Sequence, residues 1–424
     1  MLFSNIEVLM PDFTVKKHMY VGVTGTTINY VGDKKPETDY GEVIQGKHRL
    51  LMPAYYNAHT HSAMTLLRSM GSGMPLDRWL NESIFPYEAT LTADDIYYGD
   101  MLAFAEMIRC GTVSCTDMYF FGASTVKAVS ESGIKANISL PVTCFDPSLK
   151  YEDLPMYREQ MMLFSAYKGA FGGRVKIDYC VHGEYTTTEK VVRGLAATAL
   201  ATGGRIHIHL SETKKEHDGC VAKRGMTPTA YFENCGLFRS PVTAAHCVWL
   251  TDADISILAE NRASAAVNPC SNMKLGSGFA PVRKMLDYGV NVCLGTDGVA
   301  SNNNLNIWKD MYLLSIIYNG YTGDASSMTA ADALRCATVN GALSQGRTDC
   351  GLIKEGYRAD LCVINTDVPN MYPARDRASE LVYSANGADV VMTVCDGKVL
   401  YENGEYKTID LERVLSYDRI HFCK

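Results

Sequence analysis

The chain has 424 residues, of which 47% are hydrophobic and 21% charged, and a net charge of −7. This composition suits a large folded protein with its own core and excludes a disordered chain or a disulfide-stapled miniature. The acidic balance, with no Lys/Arg run beyond pairs such as Lys16-Lys17 and Lys34-Lys35, excludes a phosphate-backbone or membrane-surface binder.

The N-terminal stretch MLFSNIEVLMPDF carries an early acid and a proline and lacks a basic segment followed by an apolar core, so it does not read as a signal peptide. Residues 1–50 read as short strands punctuated by turns. From about Gly351 the chain looks similar, with Asp-Gly and Asn-Gly hairpin signals in VVMTVCDGKVLYENGEY. The two β-rich flanks predict one small β-sandwich domain, residues 1–53 plus 350–424, around a catalytic domain of residues 54–349.

That middle repeats a different pattern. Eight short apolar runs occur in order: LMPAYYNAH, TVSCTDM, KANISLPV, KIDYCVH, RIHIHLSE, VTAAHCV, SAAVNPC and NVCLGTD. Helical segments lie between them, such as ADDIYYGDMLAFAEMIRCG and EKVVRGLAATALATGG, several closed by glycine. Eight alternations over this length predict an α/β fold, a (β/α)8 TIM-like barrel. No G-x-G-x-x-G follows a strand, so a dinucleotide-binding domain has no support. No apolar stretch reaches the ~20 residues of a bilayer span. The fourteen cysteines include no C-x-x-C, and many sit inside apolar runs. They read as reduced thiols of a cytoplasmic protein, with a disulfide framework as the alternative.

Barrel chemistry sits at the C-terminal ends of the strands. Six of the ten histidines fall in or at the ends of these runs: His59, His61, His182, His207, His209 and His246. Asp297 ends the eighth. His59-x-His61 is a chelating pair, because i and i+2 share a strand face. In His207-x-His209 either could ligate; His209 lies nearer the mouth and is assigned, while His207 reads as a core histidine. Three histidines and one aspartate leave an open position, the mark of a catalytic rather than a structural metal site. The expected metal ligands are therefore His59, His61, His209 and Asp297, holding one divalent ion per subunit, zinc first, with Fe or Mn as alternatives. Glu212, three residues beyond a ligand, reads as a catalytic proton carrier; its competing role is an acid at a helix start. Asp297 can also accept a proton. His246 reads either as a ligand or as a group that polarises the attacked centre. No lysine ends the fourth run, where His182 stands, which argues for one ion rather than two.

These residues in this order resemble the amidohydrolase superfamily. The segments PAYYNAHTHSAMTLLRSM, MPLDRWL, FPYEATLT, IHIHLSETKKE, NPCSNMKLGSGFAPV and LGTDGVASNNNLN are similar to its S-adenosylhomocysteine/methylthioadenosine deaminase and chlorohydrolase branch. The resemblance implies hydrolytic deamination of an adenine nucleoside with release of ammonia. Glu88 would then hold the ribose hydroxyls and His182 the purine, with Ser301, next to Asn302, lining the site. It implies a small-molecule substrate, no nucleic-acid or membrane partner, and a possible homo-oligomer.

Two departures bear on the substrate. Glu184 stands where the family carries a proline. The arginine that adenosine-specific members carry after the third strand is missing from ISLPVTCFDPSLK, leaving Arg158, or Tyr157 beside it, as the nearest candidate to grip a substrate carboxylate. The alternative function is deamination or dechlorination of another ring: guanine, a pterin or a triazine. A catalytically dead scaffold is the remaining rival, which the complete ligand set argues against.

Overall fold

The computed structural model describes residues 1–74 and 78–422, so part of the MPLDRWL segment lies outside the described residues. All eight apolar runs are strands: β6 (Tyr55–Thr60), β7 (Thr112–Met118), β8 (Lys135–Ser139), β9 (Val175–Val181), β10 (Ile206–Leu210), β11 (Val242–His246), β12 (Ser264–Val267) and β13 (Asn291–Leu294). They pair in parallel in sequence order. The ring closes through the segment after β13. The amide of Asp297 donates to the His59 carbonyl at 3.0 Å, and that of Thr296 to Asn57 Oδ1 at 3.0 Å.

The strands of the barrel are buried almost throughout, since helices cover their outer faces. Those helices follow local rules. Ala93–Arg109 opens on a reciprocal capping box between Thr92 and Asp95. Glu189–Thr202 opens on the Thr188 hydroxyl and stops at Gly203 with φ 63°.

The two chain ends meet in one nine-stranded mixed sheet. It takes β1 (Leu2–Leu9), β2 (Val15–Thr24), β3 (Thr27–Gly32), β4 (Val43–Gln45) and β5 (Arg49–Pro53) from one end. From the other it takes β14 (Leu361–Asn365), β15 (Val390–Cys395), β16 (Lys398–Glu402) and β17 (Glu405–Tyr406). β5 and β14 join the halves antiparallel, Leu361 opposite Pro53 and Asn365 opposite Arg49. The sheet wraps its own core, in which Val21 and Ile28 of one half pack with Leu361 and Val394 of the other. A single residue, Ala54, separates β5 from β6, so the small sheet feeds directly into the strand that carries His59. The C-terminal helix Leu411–His421 packs on Ala93–Arg109, where Tyr417 stacks on Tyr98 and donates to Asp95 at 2.7 Å.

Thirteen cysteines among the described residues are free and buried. Among those residues no helix is long and apolar enough to cross a membrane.

Candidate active site

The strand ends bring the sequence candidates to one point at the barrel mouth. His59 comes from β6, and His61 follows it at the start of the 3-10 turn Ser62–Leu67. His209 ends β10, His246 ends β11, and Asp297 follows β13. Asp297 Oδ1 lies 3.4 Å from His59 Nε2 and 3.3 Å from His61 Nε2. His209 Nε2 lies 3.3 Å from His61 Nε2. Two overlapping groups of metal-ligand geometry result: His59, His61 and Asp297, and His59, His209 and His246.

Each ring is fixed by its other nitrogen. His61 Nδ1 is 2.6 Å from the Met118 carbonyl and His209 Nδ1 2.7 Å from that of His182, so in both rings Nδ1–H donates and Nε2 keeps its lone pair. His207 lies behind the cluster, its Nε2 3.0 Å from His59 Nδ1. His59 Nε2 is buried without a hydrogen-bond partner and faces the convergence point. A buried lone pair left without a donor, among two further imidazoles and a carboxylate, fits a cation at that point.

Burial favours the neutral imidazole at His59 and His209, whereas the Asp297 carboxylate favours the charged ring at His61. Burial pulls His59 down to about 3 and holds His209 well below its ordinary value. Burial also opposes charging of His61, but the Asp297 carboxylate outweighs it and pushes the group to about 9. Asp297 is held well below the carboxylate range; the neighbouring His59 and His61 imidazoles overcome its burial. Its other oxygen, Oδ2, accepts from the hydroxyls of Ser271 at 2.6 Å and Ser301 at 2.7 Å.

Glu212 and His246 stand beside this cluster. Glu212 Oε2 is 3.8 Å from His246 Nε2, and burial raises the Glu212 carboxyl although His246 opposes it. His246 Nδ1 is 2.8 Å from Asn272 Oδ1, which leaves Nε2 facing the cavity. His246 and Asp297 take left-handed backbone at φ 73° and 60°, a conformation that histidine and aspartate adopt more readily than most residues.

A cavity of ≈ 270 Å³ opens over these groups; Glu88, His182 and Ser301 also line it. Glu88 accepts from the Tyr119 hydroxyl at 2.7 Å, and burial raises its carboxyl. His182 Nδ1 is 3.2 Å from the Thr186 hydroxyl, and burial lowers it to about 4.

Three residues weighed from the sequence fall elsewhere. Arg158 lies exposed on the helix Pro155–Tyr167 and lines no cavity described here, because it is on the face turned away from the barrel. Tyr157, beside it, packs edge-on against Tyr151. Asn302 turns from the site and donates to Thr296 O at 2.7 Å and Asp310 Oδ2 at 2.9 Å. Sequence reasoning did not single out Tyr119, Thr186, Ser271 and Asn272. Ser271 and Asn272 were detectable as polar residues just past the seventh run. Tyr119 and Thr186 carried no such signal, since hydroxyl groups in loops are common.

Glu184 is buried and paired with Arg224, whose Nε is 3.1 Å from Oε2. The Arg224 guanidinium in turn lies 3.9 Å from the centre of the Tyr231 ring. The charge that replaces the family's proline is therefore balanced within the fold.

Comparison with known proteins gives a consistent picture. A sequence model described as "Amidohydrolase family" matches residues 50–400. The chain is 40% identical over 420 residues to a 5-methylthioadenosine/S-adenosylhomocysteine deaminase of Caldanaerobacter subterraneus subsp. tengcongensis, covering 98% of this chain and 96% of that one. It is 40% identical over 410 residues to a 5'-deoxyadenosine deaminase of Methanosarcina acetivorans, covering 96% and 94%. The crystal structure of an adenosine deaminase from Xanthomonas campestris with bound zinc superposes with TM-score 0.92 at 29% identity, covering 99% of this chain and 97% of that one.

Proposed function

The chain belongs to the amidohydrolase family, and we propose that it is a hydrolytic deaminase of adenine nucleosides that releases ammonia. The observation that carries the reading is the convergence of three imidazoles and the Asp297 carboxylate at the cavity floor, with Glu212 and His246 beside them. The names of the relatives, 5-methylthioadenosine/S-adenosylhomocysteine deaminase and 5'-deoxyadenosine deaminase, support the adenine nucleoside as substrate. The same reading divides the chain into residues 54–349, the catalytic barrel, and residues 1–53 plus 350–424, the small β domain.

His59, His61, His209 and Asp297 would hold one divalent ion, zinc first, which supplies Lewis acidity where the ring carbon is attacked. Ser271 and Ser301 hold Asp297 Oδ2, so that Oδ1 stays turned to the imidazoles and can take the proton of the attacking water. Glu212, whose protonated form burial favours, can give a proton to the ring nitrogen next to the attacked carbon. His246 gives Nδ1–H to Asn272 Oδ1, so its Nε2 can accept from the attacking water and help Asp297 take the proton. The C–N bond then breaks, the amine departs as ammonia after taking a proton, and a ring carbonyl remains. Glu88 offers a carboxylate to two vicinal ribose hydroxyls, and Tyr119 keeps it in place. His182 turns its Nε2 to the purine while Thr186 holds Nδ1.

The test is ammonia release by zinc-loaded protein from adenosine, methylthioadenosine, S-adenosylhomocysteine, guanine, a pterin and a triazine. We expect turnover of the adenine nucleosides, reduced about 10²–10⁴-fold in Glu212→Gln with metal content unchanged. Turnover confined to guanine, the pterin or the triazine would overturn the substrate, and full activity in Glu212→Gln would overturn the mechanism.

A further inference from the structure

Asp310 stands in the first turn of the helix Ile307–Thr322 and is fully buried. Nothing in the deamination chemistry uses it. Burying a carboxylate is costly unless hydrogen bonds answer it, and here they come from two sides. Oδ1 accepts from the Cys270 amide at 3.0 Å, and Oδ2 from the side-chain amide of Asn302 at 2.9 Å. Each donor is the chain neighbour of a serine on Asp297. Ser271 follows Cys270, Ser301 precedes Asn302, and both hydroxyls donate to Asp297 Oδ2. One carboxylate thus stands behind both donors of another.

We propose that Asp310 is a positioning residue of the site: by holding Cys270 and Asn302 it keeps both serine hydroxyls on Asp297 Oδ2, and so keeps Oδ1 directed at the imidazoles. The inference rests on the metal-ligand and deaminase reading above. The Cys270 amide is one of the open donors at the start of the helix Pro269–Lys274, where Pro269 has no N–H and Asn268 makes no side-chain cap. Asp310 therefore fixes where that helix begins, and with it the direction of Ser271. On the other side Asn302 Nδ2 gives its second hydrogen to the Thr296 carbonyl at 2.7 Å, next to Asp297 in the chain. Placement matters most at Ser301, whose hydroxyl has one hydrogen and two acceptors in reach. Asp297 Oδ2 lies at 2.7 Å and the Gly298 carbonyl at 2.9 Å. A small shift of the turn Val299–Asn302 is enough to send that hydrogen to the carbonyl and leave Asp297 with Ser271 alone. A carboxylate that merely capped a helix would also be buried and hydrogen-bonded. The two roles differ in whether the loss of Asp310 is felt through the serines.

The experiment is Asp310→Asn, which keeps the shape but has one acceptor oxygen and cannot answer both donors. Zinc affinity, read by competition with a chelating dye, should fall about tenfold, the scale of a partner lost behind a metal ligand. At saturating zinc, kcat for adenosine should fall about tenfold with KM within about twofold. In Ser271→Ala/Ser301→Ala the same substitution should change zinc affinity and kcat by less than about twofold, because no hydroxyl is left for Asp310 to place. In Asn272→Ala it should keep its full effect, since Asn272 leads to His246 and not to Asp297. An equal loss with and without the serines, or no loss in Asp310→Asn, overturns the role. Where Asp310→Asn does not fold, Asn302→Ala, which leaves the Cys270 side in place, carries the same comparison. It should weaken zinc binding less than Asp310→Asn would, and an undiminished loss in Ser301→Ala overturns the role. If wild type binds zinc but releases no ammonia from any adenine nucleoside, the deaminase reading falls while the zinc comparison still decides the role of Asp310.

Discussion

At the mouth of the barrel His59, His61, His209 and Asp297 face one point, and the buried lone pair of His59 Nε2 has no partner there. At the foot Lys135, the first residue of β8, is enclosed by Asp360, by Asp396 at 2.8 Å, and through Asp360 by the Tyr56 hydroxyl. Both clusters are charged and buried within one fold. The foot is complete: each charge is answered by one of opposite sign, and it ties the barrel to the loops of the small sheet. The mouth gathers electron-pair donors and leaves them turned to a common space. Several imidazoles and a carboxylate turned to a common space, rather than any single unpaired atom, mark the mouth as the place where a cation can bind.

Three experiments sharpen the contrast. The largest effect is expected from the mouth. His209→Ala, or treatment of the wild type with a chelator, should remove the metal and take turnover below detection, and zinc should restore only the chelated wild type. Loss of the ion should also lower the melting temperature, since a ligand of the folded state stabilises it. Metal content and calorimetry read both; unchanged activity after complete metal removal would sink the assignment.

The foot should answer in stability alone. Lys135→Met leaves the buried Asp360 without its cation, while Asp396 keeps Arg358 at 3.3 Å, and should cost about 3–5 kcal/mol, with kcat per folded molecule unchanged. Its pH dependence has a defined sign. Burial pushes the Asp360 carboxyl up, but Lys135 and the hydrogen bonds of Tyr56 and the Asp396 amide outweigh it and hold it down. In the wild type this carboxylate therefore contributes stability above the ordinary carboxylate range, lost as pH falls through its depressed value. In Lys135→Met the hydrogen bonds of Tyr56 and the Asp396 amide remain but the cation is gone, so burial weighs more on Asp360 and protonation relieves the strain. The stability gap between the two proteins should narrow between about pH 7 and pH 4, as read by urea unfolding. A gap that stays constant would show that Lys135 acts by packing rather than by charge.

The smallest effect is expected at Ser301. Ser301→Ala removes one of the two hydroxyls on Asp297 Oδ2, and kcat should fall about three- to tenfold with the ion retained. Ser271→Ala/Ser301→Ala should lose more than the two single variants combined, because each hydroxyl covers for the other. Additive losses would mean that they do not act on one oxygen together.

Much of the mouth was legible in the chain. β-branched runs of strand length, each ended by a polar residue, located all eight strands. The rule that barrel chemistry sits at strand C-termini then selected the histidines and Asp297. The foot was not legible. Lys135 and Asp360 lie 225 residues apart, and neither carries a local pattern, so only the closure of the small sheet onto the barrel brings them together. Arg158 shows the converse error. Proximity in sequence to a missing arginine suggested a role, but helix phase turned it to solvent.

The sequence by itself determined the order of elements, the donor types at each strand end and the metal-ligand chemistry they favour, because these follow from periodicity and side-chain identity. Tertiary structure decided which groups meet. It set the 3.3 and 3.4 Å approaches around Asp297, turned Asn302 away from the site, and paired Glu184 with Arg224. It also set the Asp310 carboxylate behind both serines of Asp297. Those outcomes depend on strand register, helix phase and left-handed residues such as His246 and Asp297. Packing of the whole chain imposes these features, and no local stretch encodes them.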